Sequence, residues 1–114
     1  MIHSPKSWLG QKVKVKMDRP LGSVHPKYKN NVYPVNYGFI PDTYCEADKE
    51  EIDAYVLGPT EPLSEFTGIV IAIIQRLDDE LKLIVTDGTD YSIEEIKKLT
   101  NFQEKYYQSK IMKP

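Results

Sequence analysis

Phe66-Thr67-Gly68-Ile69-Val70-Ile71-Ala72-Ile73-Ile74-Gln75-Arg76-Leu77 runs into the acidic trio Asp78-Asp79-Glu80 and out again through Leu81-Lys82-Leu83-Ile84-Val85-Thr86. Both arms are rich in β-branched residues and meet at a tight polar turn, which is the pattern of a β-hairpin. Upstream, Ile52 to Leu57 reads as a further strand. Gln11 to Met17 alternates strictly, with Val13, Val15 and Met17 on one face and Lys12, Lys14 and Lys16 on the other, the period of a half-buried strand. The three lysines suit protection of a sheet edge better than a phosphate patch. Asp18 to Asn31 breaks into Pro20, Gly22, Ser23, Pro26 and Asn30 and predicts a long surface loop. Val32 to Ile40 returns to β character, with Pro34 limiting it to an irregular or edge strand.

Beyond the hairpin the period changes. Ser92 with Glu95 forms a capping box, Tyr91 and Ile96 stand at staple spacing, and Ile93, Ile96 and Leu99 follow a helical repeat. Thr100 and Gln103 repeat the capping pattern and predict a second helix striped by Phe102, Tyr106 and Ser109. About five strands precede two helices without βαβ alternation. That order predicts a mainly β, α+β fold: a strongly curved antiparallel sheet or barrel with two C-terminal helices packed on it.

A chain of 114 residues is expected to form one domain, residues 1–114, around one core. Fifteen Lys and Arg against 17 Asp and Glu give a net charge of −2, so no global positive field attracts nucleic acid or anionic lipid. Neither nucleic acid nor membrane is an expected partner. With 40% apolar and 28% charged residues, collagen-like, coiled-coil and disordered classes are excluded. The longest apolar run, Ile69 to Ile74, is far short of the roughly 20 residues of a membrane-spanning helix. Met1 to Gly10 shows no signal-peptide pattern and Cys45 is the one cysteine, so the cytoplasm is the expected location.

Chemistry concentrates in Asp48-Lys49-Glu50-Glu51-Ile52-Asp53, four carboxylates leading into an apolar strand. Asp53, followed by Ala54, Tyr55, Val56 and Leu57, sits where burial is expected, and a buried carboxylate needs either a Lys or Arg or a divalent cation. Oxygen donors without His or Cys suit Mg²⁺, Mn²⁺ or Ca²⁺. An EF-hand is excluded, because Asp53 stands where its glycine belongs and Pro59 where its final glutamate belongs. Convergence of this segment with Asp78, Asp79 and Glu80 requires cations between the carboxylates. Arg19, Lys27, Lys29 and Lys82 are candidate phosphate holders. Of eight tyrosines against three phenylalanines, half-buried packing accounts for most and phenols lining a polar cleft for the rest, while His3 and His25 have no metal-ligand spacing.

Tyr33-Pro34-Val35-Asn36-Tyr37-Gly38-Phe39-Ile40 and Asp48 through Leu57 together resemble the soluble family I inorganic pyrophosphatases. The second stretch is similar to that family's Asp-x-Asp-x-x-Asp signature with glutamate in the middle, and Asp78 to Lys82 to its later acidic turn and lysine. The resemblance runs from about Val13 to Lys110. It implies a five-stranded OB-like barrel and hydrolysis of pyrophosphate to two orthophosphates with Mg²⁺, Mn²⁺ being the alternative. By position it implies Asp48, Asp53, Glu80 and Asp78 or Asp79 as metal ligands and Glu50 as general base. Tyr37 is implied to orient the attacking water, and Lys27, Lys82 and Tyr106 to hold phosphate oxygens, with Asp18 near an outer-shell glutamate position. Homo-oligomers are implied as well.

The sequence departs from that family's pattern in three places. The hairpin expected between Lys27 and Tyr33, with its phosphate-binding arginine, is almost absent, and Arg19 is the candidate replacement. The acidic turn is short, and Tyr106-Tyr107 stands where a Tyr-Lys pair is expected. Two fewer phosphate-binding cations leave two alternatives beside pyrophosphate hydrolysis. One is a non-catalytic OB-like module for a phosphorylated metabolite, the other a hydrolase of a different phosphoanhydride.

Overall fold

Alternation along five strands produces two apolar surfaces, and the chain closes one of them inside a barrel. The computed structural model describes residues 5–114; His3 lies outside them, as do Met1, Ile2 and Ser4. After a 3₁₀ turn, Pro5–Trp8, come β1 (Lys12–Arg19), β2 (Asn36–Cys45), β3 (Glu50–Val56), β4 (Glu65–Arg76) and β5 (Leu81–Thr86). The helix α1 (Ile93–Glu104) and β6 (Ser109–Met112) complete the order.

The pairing runs β1-β2-β3-β5-β4, and β4 returns to β1, so the five strands close on themselves. Val13, Val15, Ile40, Ile52, Ala54, Val56, Val70, Ile73, Leu83 and Val85 fill the interior. Gly38 is required where β1 crosses β2, since a Cβ there would overlap the Lys16 carbonyl oxygen and lie 2.7 Å from the Met17 Cα. The opposite faces of β2 to β5 carry Tyr37, Tyr55, Ala72, Ile74 and Ile84, which pack under Ile96, Leu99 and Phe102 of α1 and against Tyr33. Each such buried aliphatic side chain contributes roughly 1.5–3 kcal/mol.

The hairpin of β4 and β5 forms as its sequence predicts, with Asp79 in the left-handed region at φ 72° in the turn. Other expectations are corrected. The barrel is not wholly antiparallel: β3 and β5 are parallel, because β4 enters the barrel on the far side of β5. The strand expected over Val32 to Ile40 begins at Asn36, where Pro34 no longer interrupts the ladder, and continues through a bulge to Cys45.

The second C-terminal helix is absent. Thr100 lies inside α1, and its hydroxyl donates to the Ile96 carbonyl at 2.8 Å instead of capping a new helix. The capping box at Ser92 and Glu95 is present as expected, with both bonds formed. Past Glu104 the chain turns and adds β6 to β4. The reason is an open edge: β1 covers β4 only from Glu65 to Ile69, and β6 pairs with Ile73 through Arg76. No helix of the described residues is long and apolar enough to cross a membrane.

Candidate active site

Asp53 and Lys82 are register partners in the parallel pairing of β3 with β5. Alternation turns both toward the outer, tyrosine-rich face. Tyr37 on β2 reaches the same point, its hydroxyl donating to Asp53 Oδ2 at 2.8 Å. The Lys82 ammonium lies 2.5 Å from Asp53 Oδ2 and 2.5 Å from Glu80 Oε2, with its side chain 5% exposed. Burial is the largest single influence on this amine and lowers its pKa, but the charge of Asp53 and the hydrogen bonds to Asp53 and Glu80 together outweigh it, and the Lys82 pKa rises above its ordinary value. Burial, followed by the charge of Asp53, pushes the Tyr37 phenol well above its ordinary value.

Arg76 extends this cluster on the same face. Its Nη1 donates to Glu80 at 3.0 Å, while Nε and Nη2 grip Glu104 at 3.1 and 2.8 Å, and its guanidinium lies 3.7 Å from the Tyr107 ring centre. Glu104 also accepts from the Tyr55 hydroxyl, which accepts from Gln103, whose oxygen accepts from Tyr33. An unbroken polar network thus joins the barrel strands to the end of α1. Sequence reasoning missed Arg76, Glu104 and Gln103. The signal for Arg76 was the one that marked Asp53, a charge inside an apolar strand that needs a partner. Glu104 and Gln103 were hidden by the expectation of a helix starting at Thr100.

The loop between β1 and β2 lies over this face. Asn36 anchors it, its side-chain oxygen accepting from the Leu21 and Leu63 amides and its nitrogen donating to the Glu61 carbonyl. His25 shapes it by accepting from the Lys27 and Tyr28 amides, both at 3.1 Å, and its ring stacks on Tyr33. Lys27 and Tyr106 come together through Tyr28: the Tyr28 and Tyr106 rings stack at 3.8 Å, and the Lys27 ammonium lies 5.4 Å from the Tyr28 ring centre. Arg19 donates to the Asp18 carbonyl and stands close enough to influence the Tyr33 phenol. Burial raises the Asp18 pKa against the lowering charge of Arg19, and the charge of Asp53 raises it further.

The remaining carboxylates shape local turns. Asp48 accepts from the Glu50 amide, Asp78 from the Glu80 amide and Asp79 from the Gln75 side chain. Along β3, Glu50 alternates with Ile52 and Ala54 toward the interior side, whereas Glu51 shares the face of Asp53. The two acidic segments meet through Asp53 and Glu80, both on the Lys82 ammonium. Among the described residues, no three His, Cys, Asp or Glu gather closely enough to hold a metal ion. A groove of about 350 Å³, lined by Arg76, Leu77, Asp78, Tyr106, Tyr107 and Gln108, borders the cluster through Arg76.

The chain is 35% identical over 92 residues to soluble inorganic pyrophosphatase 2 of Chlamydomonas reinhardtii, covering 72% of this chain and 47% of that protein. It is 30% identical over 116 residues to soluble inorganic pyrophosphatase of Hordeum vulgare, covering 83% of this chain and 54% of that protein. The chain thus spans about half the length of the curated relatives it matches. The crystal structure of inorganic pyrophosphatase from Ehrlichia chaffeensis superposes with a TM-score of 0.68 at 16% identity, over 98% of this chain and 88% of that one. An inorganic pyrophosphatase from Neisseria gonorrhoeae superposes at 0.62 and 23% identity, over 85% and 74%. Those two likenesses carry the fold. The profile described as inorganic pyrophosphatase matches residues 2–112, nearly the whole length, and on that match this chain belongs to the inorganic pyrophosphatase family.

Proposed function

We propose that the chain hydrolyses inorganic pyrophosphate to two orthophosphates with Mg²⁺, Mn²⁺ being the second choice, in a reducing compartment, the cytoplasm. The observation that carries this reading is the meeting of Tyr37, Asp53, Glu80 and Lys82 at one point beneath the loop that leaves β1 at Arg19 and holds Lys27. Displacement at phosphorus needs carboxylates, cations and positioned water, and no nucleophilic side chain.

The donor set fits the cation. Mg²⁺ binds through one or two carboxylates together with substrate phosphates, rather than in an all-protein cage, and it takes oxygen ligands. Asp53 and Glu80, already converging on one ammonium, are the residues that would hold it. When bound, Mg²⁺ supplies the Lewis acidity that activates water and neutralises charge on the leaving phosphate. Tyr37 fixes the Asp53 carboxylate through its hydroxyl and is the candidate to orient water beside it. Lys82, Lys27 and Arg19 are the candidate phosphate ligands, and Tyr106 positions Lys27 through Tyr28. Asp48, Asp78 and Asp79 remain candidates for outer contacts to hydrated cations.

A second reading, binding of a phosphorylated metabolite without turnover, is favoured by one observation: Lys82 and Arg76 are both engaged by internal carboxylates. One experiment decides between them. Orthophosphate release from pyrophosphate is measured with and without Mg²⁺ or Mn²⁺, beside an Asp53→Asn control. Metal-dependent release that the control lacks is the expected result. Thermal stabilisation by pyrophosphate with no release would replace the hydrolase by the binding module.

A further inference from the structure

Lys12, Lys14 and Lys16 lie on the outer face of β1, while Val13 and Val15 between them enter the barrel. Lys12 and Lys14 border the stretch of β1 that pairs with β4, and protection of a strand edge accounts for them. It does not account for Lys16, which is paired on both sides, with Glu65 of β4 and with Phe39 of β2. Nor does an ion pair. Glu65 is taken by Lys14 at 3.3 Å, and among the described residues no carboxylate meets the Lys16 ammonium. An exposed, uncommitted cation therefore stands where the barrel is closed.

The strand registers show what lies beside it. Lys16 is opposite Phe39, Phe39 opposite Asp53, and Asp53 opposite Lys82, so four strands place these residues in one row. Register partners point to the same face of a sheet. That face is the outer one, since Val15, Ile40, Ile52, Ala54 and Leu83, which flank the row, fill the interior. Two strand spacings, about 10 Å, separate the backbones of Lys16 and Asp53, and the half-buried Phe39 lies between them. A diphosphate bound at Asp53 and Lys82 spans part of that gap, and the four-carbon stem of a lysine spans the rest. Other cations of the cluster are committed, Lys82 to Asp53 and Glu80, Arg76 to Glu80 and Glu104. Resting on the reading given under Proposed function, we infer that Lys16 is a substrate-binding residue, whose ammonium takes the phosphate group of pyrophosphate farther from Lys82, across the Phe39 ring. It meets substrate as a point charge and gives up no anion of its own, so it adds to binding and not to the chemical step.

The test compares orthophosphate release from pyrophosphate, with Mg²⁺, by the whole chain and by Lys16→Gln, Lys16→Arg and Lys12→Gln. Lys16→Gln is expected to raise KM about tenfold with kcat within about twofold, the mark of lost uniform binding. Lys16→Arg keeps the charge and should stay within about threefold of the wild-type KM, and Lys12→Gln, farther along the same face, should match the wild type. Lys16→Met serves if Lys16→Gln does not fold. An unchanged KM in Lys16→Gln would overturn the inference, as would a fall in kcat alone, an equal rise in Lys12→Gln, or a loss in Lys16→Arg as large as in Lys16→Gln. Calorimetric titration with imidodiphosphate, a non-hydrolysable pyrophosphate analogue, and Mg²⁺ separates the two readings. Release with an unchanged KM keeps the hydrolase and removes Lys16. No release by the wild-type chain removes the hydrolase, and the analogue then decides: binding about tenfold weaker in Lys16→Gln supports Lys16, while equal or absent binding overturns it.

Discussion

Lys82 stands directly across the parallel seam from Asp53, and the same Asp53 oxygen that receives its ammonium at 2.5 Å also accepts the Tyr37 hydroxyl at 2.8 Å. One carboxylate oxygen thus ties together β2, β3 and β5. Asp53→Asn keeps the shape and removes the charge. Pyrophosphate hydrolysis is expected to fall at least about 100-fold, because a neutral amide offers neither the counter-charge nor the metal ligand. Denaturant unfolding should show a loss of about 2 kcal/mol, since Lys82 keeps only Glu80. Undiminished turnover would remove Asp53 from the site.

Tyr37→Phe deletes one hydroxyl from a side chain that is otherwise packed against Tyr33 and Tyr55. Its expected stability cost is about 1 kcal/mol, the net value of a hydrogen bond to a charged acceptor less the ease of burying phenylalanine. The catalytic loss should be near tenfold in kcat with little change in KM, because the phenol orients Asp53 and water rather than holding phosphate. An equal loss in KM would assign Tyr37 to substrate binding.

Glu50→Gln separates family resemblance from strand geometry. Alternation along β3 sends Glu50 to the side opposite Asp53, whereas Glu51 shares the face of Asp53. Orthophosphate release by the wild-type chain and by Glu50→Gln is expected to agree within about twofold, since a base must stand within hydrogen-bond reach of its proton. A loss of tenfold or more, without loss of folding, would show that the segment from Asp48 to Glu51 rearranges when substrate binds and carries the base with it.

Alkaline titration should find Tyr33, Tyr37 and Tyr55 protected in the folded chain. Burial pushes the Tyr33 phenol up to about 12, and burial also pushes Tyr37 and Tyr55 well above the ordinary value near 10. A folded pKa raised above the unfolded one means stability is complete below pH 10 and is lost as pH rises through 10 toward the folded values. The raised pKa of Lys82 adds to that loss with the same sign. The tyrosinate absorbance of these three phenols should therefore appear only together with loss of far-ultraviolet circular dichroism. Titration of all eight tyrosines in one step on a folded chain would contradict the burial of these three.

Gly38→Ala is expected to prevent barrel closure. The added methyl group would overlap the Lys16 carbonyl oxygen and sit 2.7 Å from the Met17 Cα, both backbone atoms that cannot rotate away. Destabilisation should exceed about 3 kcal/mol, measured by urea unfolding or by failure to purify folded protein. A stable Gly38→Ala variant would show that β1 and β2 separate more easily than their register implies.

The elements governed by local pattern were legible in the sequence. Val13 and Val15 announce β1 by alternation, Asp78 to Glu80 announce the hairpin, and Ser92 with Glu95 announces the start of α1. Where competing long-range pairings decide, local reading failed. Nothing within Thr100 to Met112 reveals that an open stretch of β4 will recruit Ile111 and Met112 as a sixth strand. Candidate residues were legible by chemical type, and Asp53 by its apolar flanks. Their grouping was not, because the parallel register of β3 with β5 places Lys82 at Asp53 while Lys27 joins Tyr106 just past the end of α1. Arg76 was readable in principle, but its partner Glu104 lies 28 residues away on another element.

The parallel seam also bears on how the molecule assembles. The hairpin of β4 and β5 needs only a short chain closure, whereas bringing Lys82 to Asp53 closes a loop of 29 residues around the intervening strand. A chain that has made its hairpins but not this seam holds every acidic residue and no site. Whatever binds between Asp53, Glu80 and Lys82 consequently binds the closed barrel alone, and by mass action it draws incompletely folded molecules toward closure.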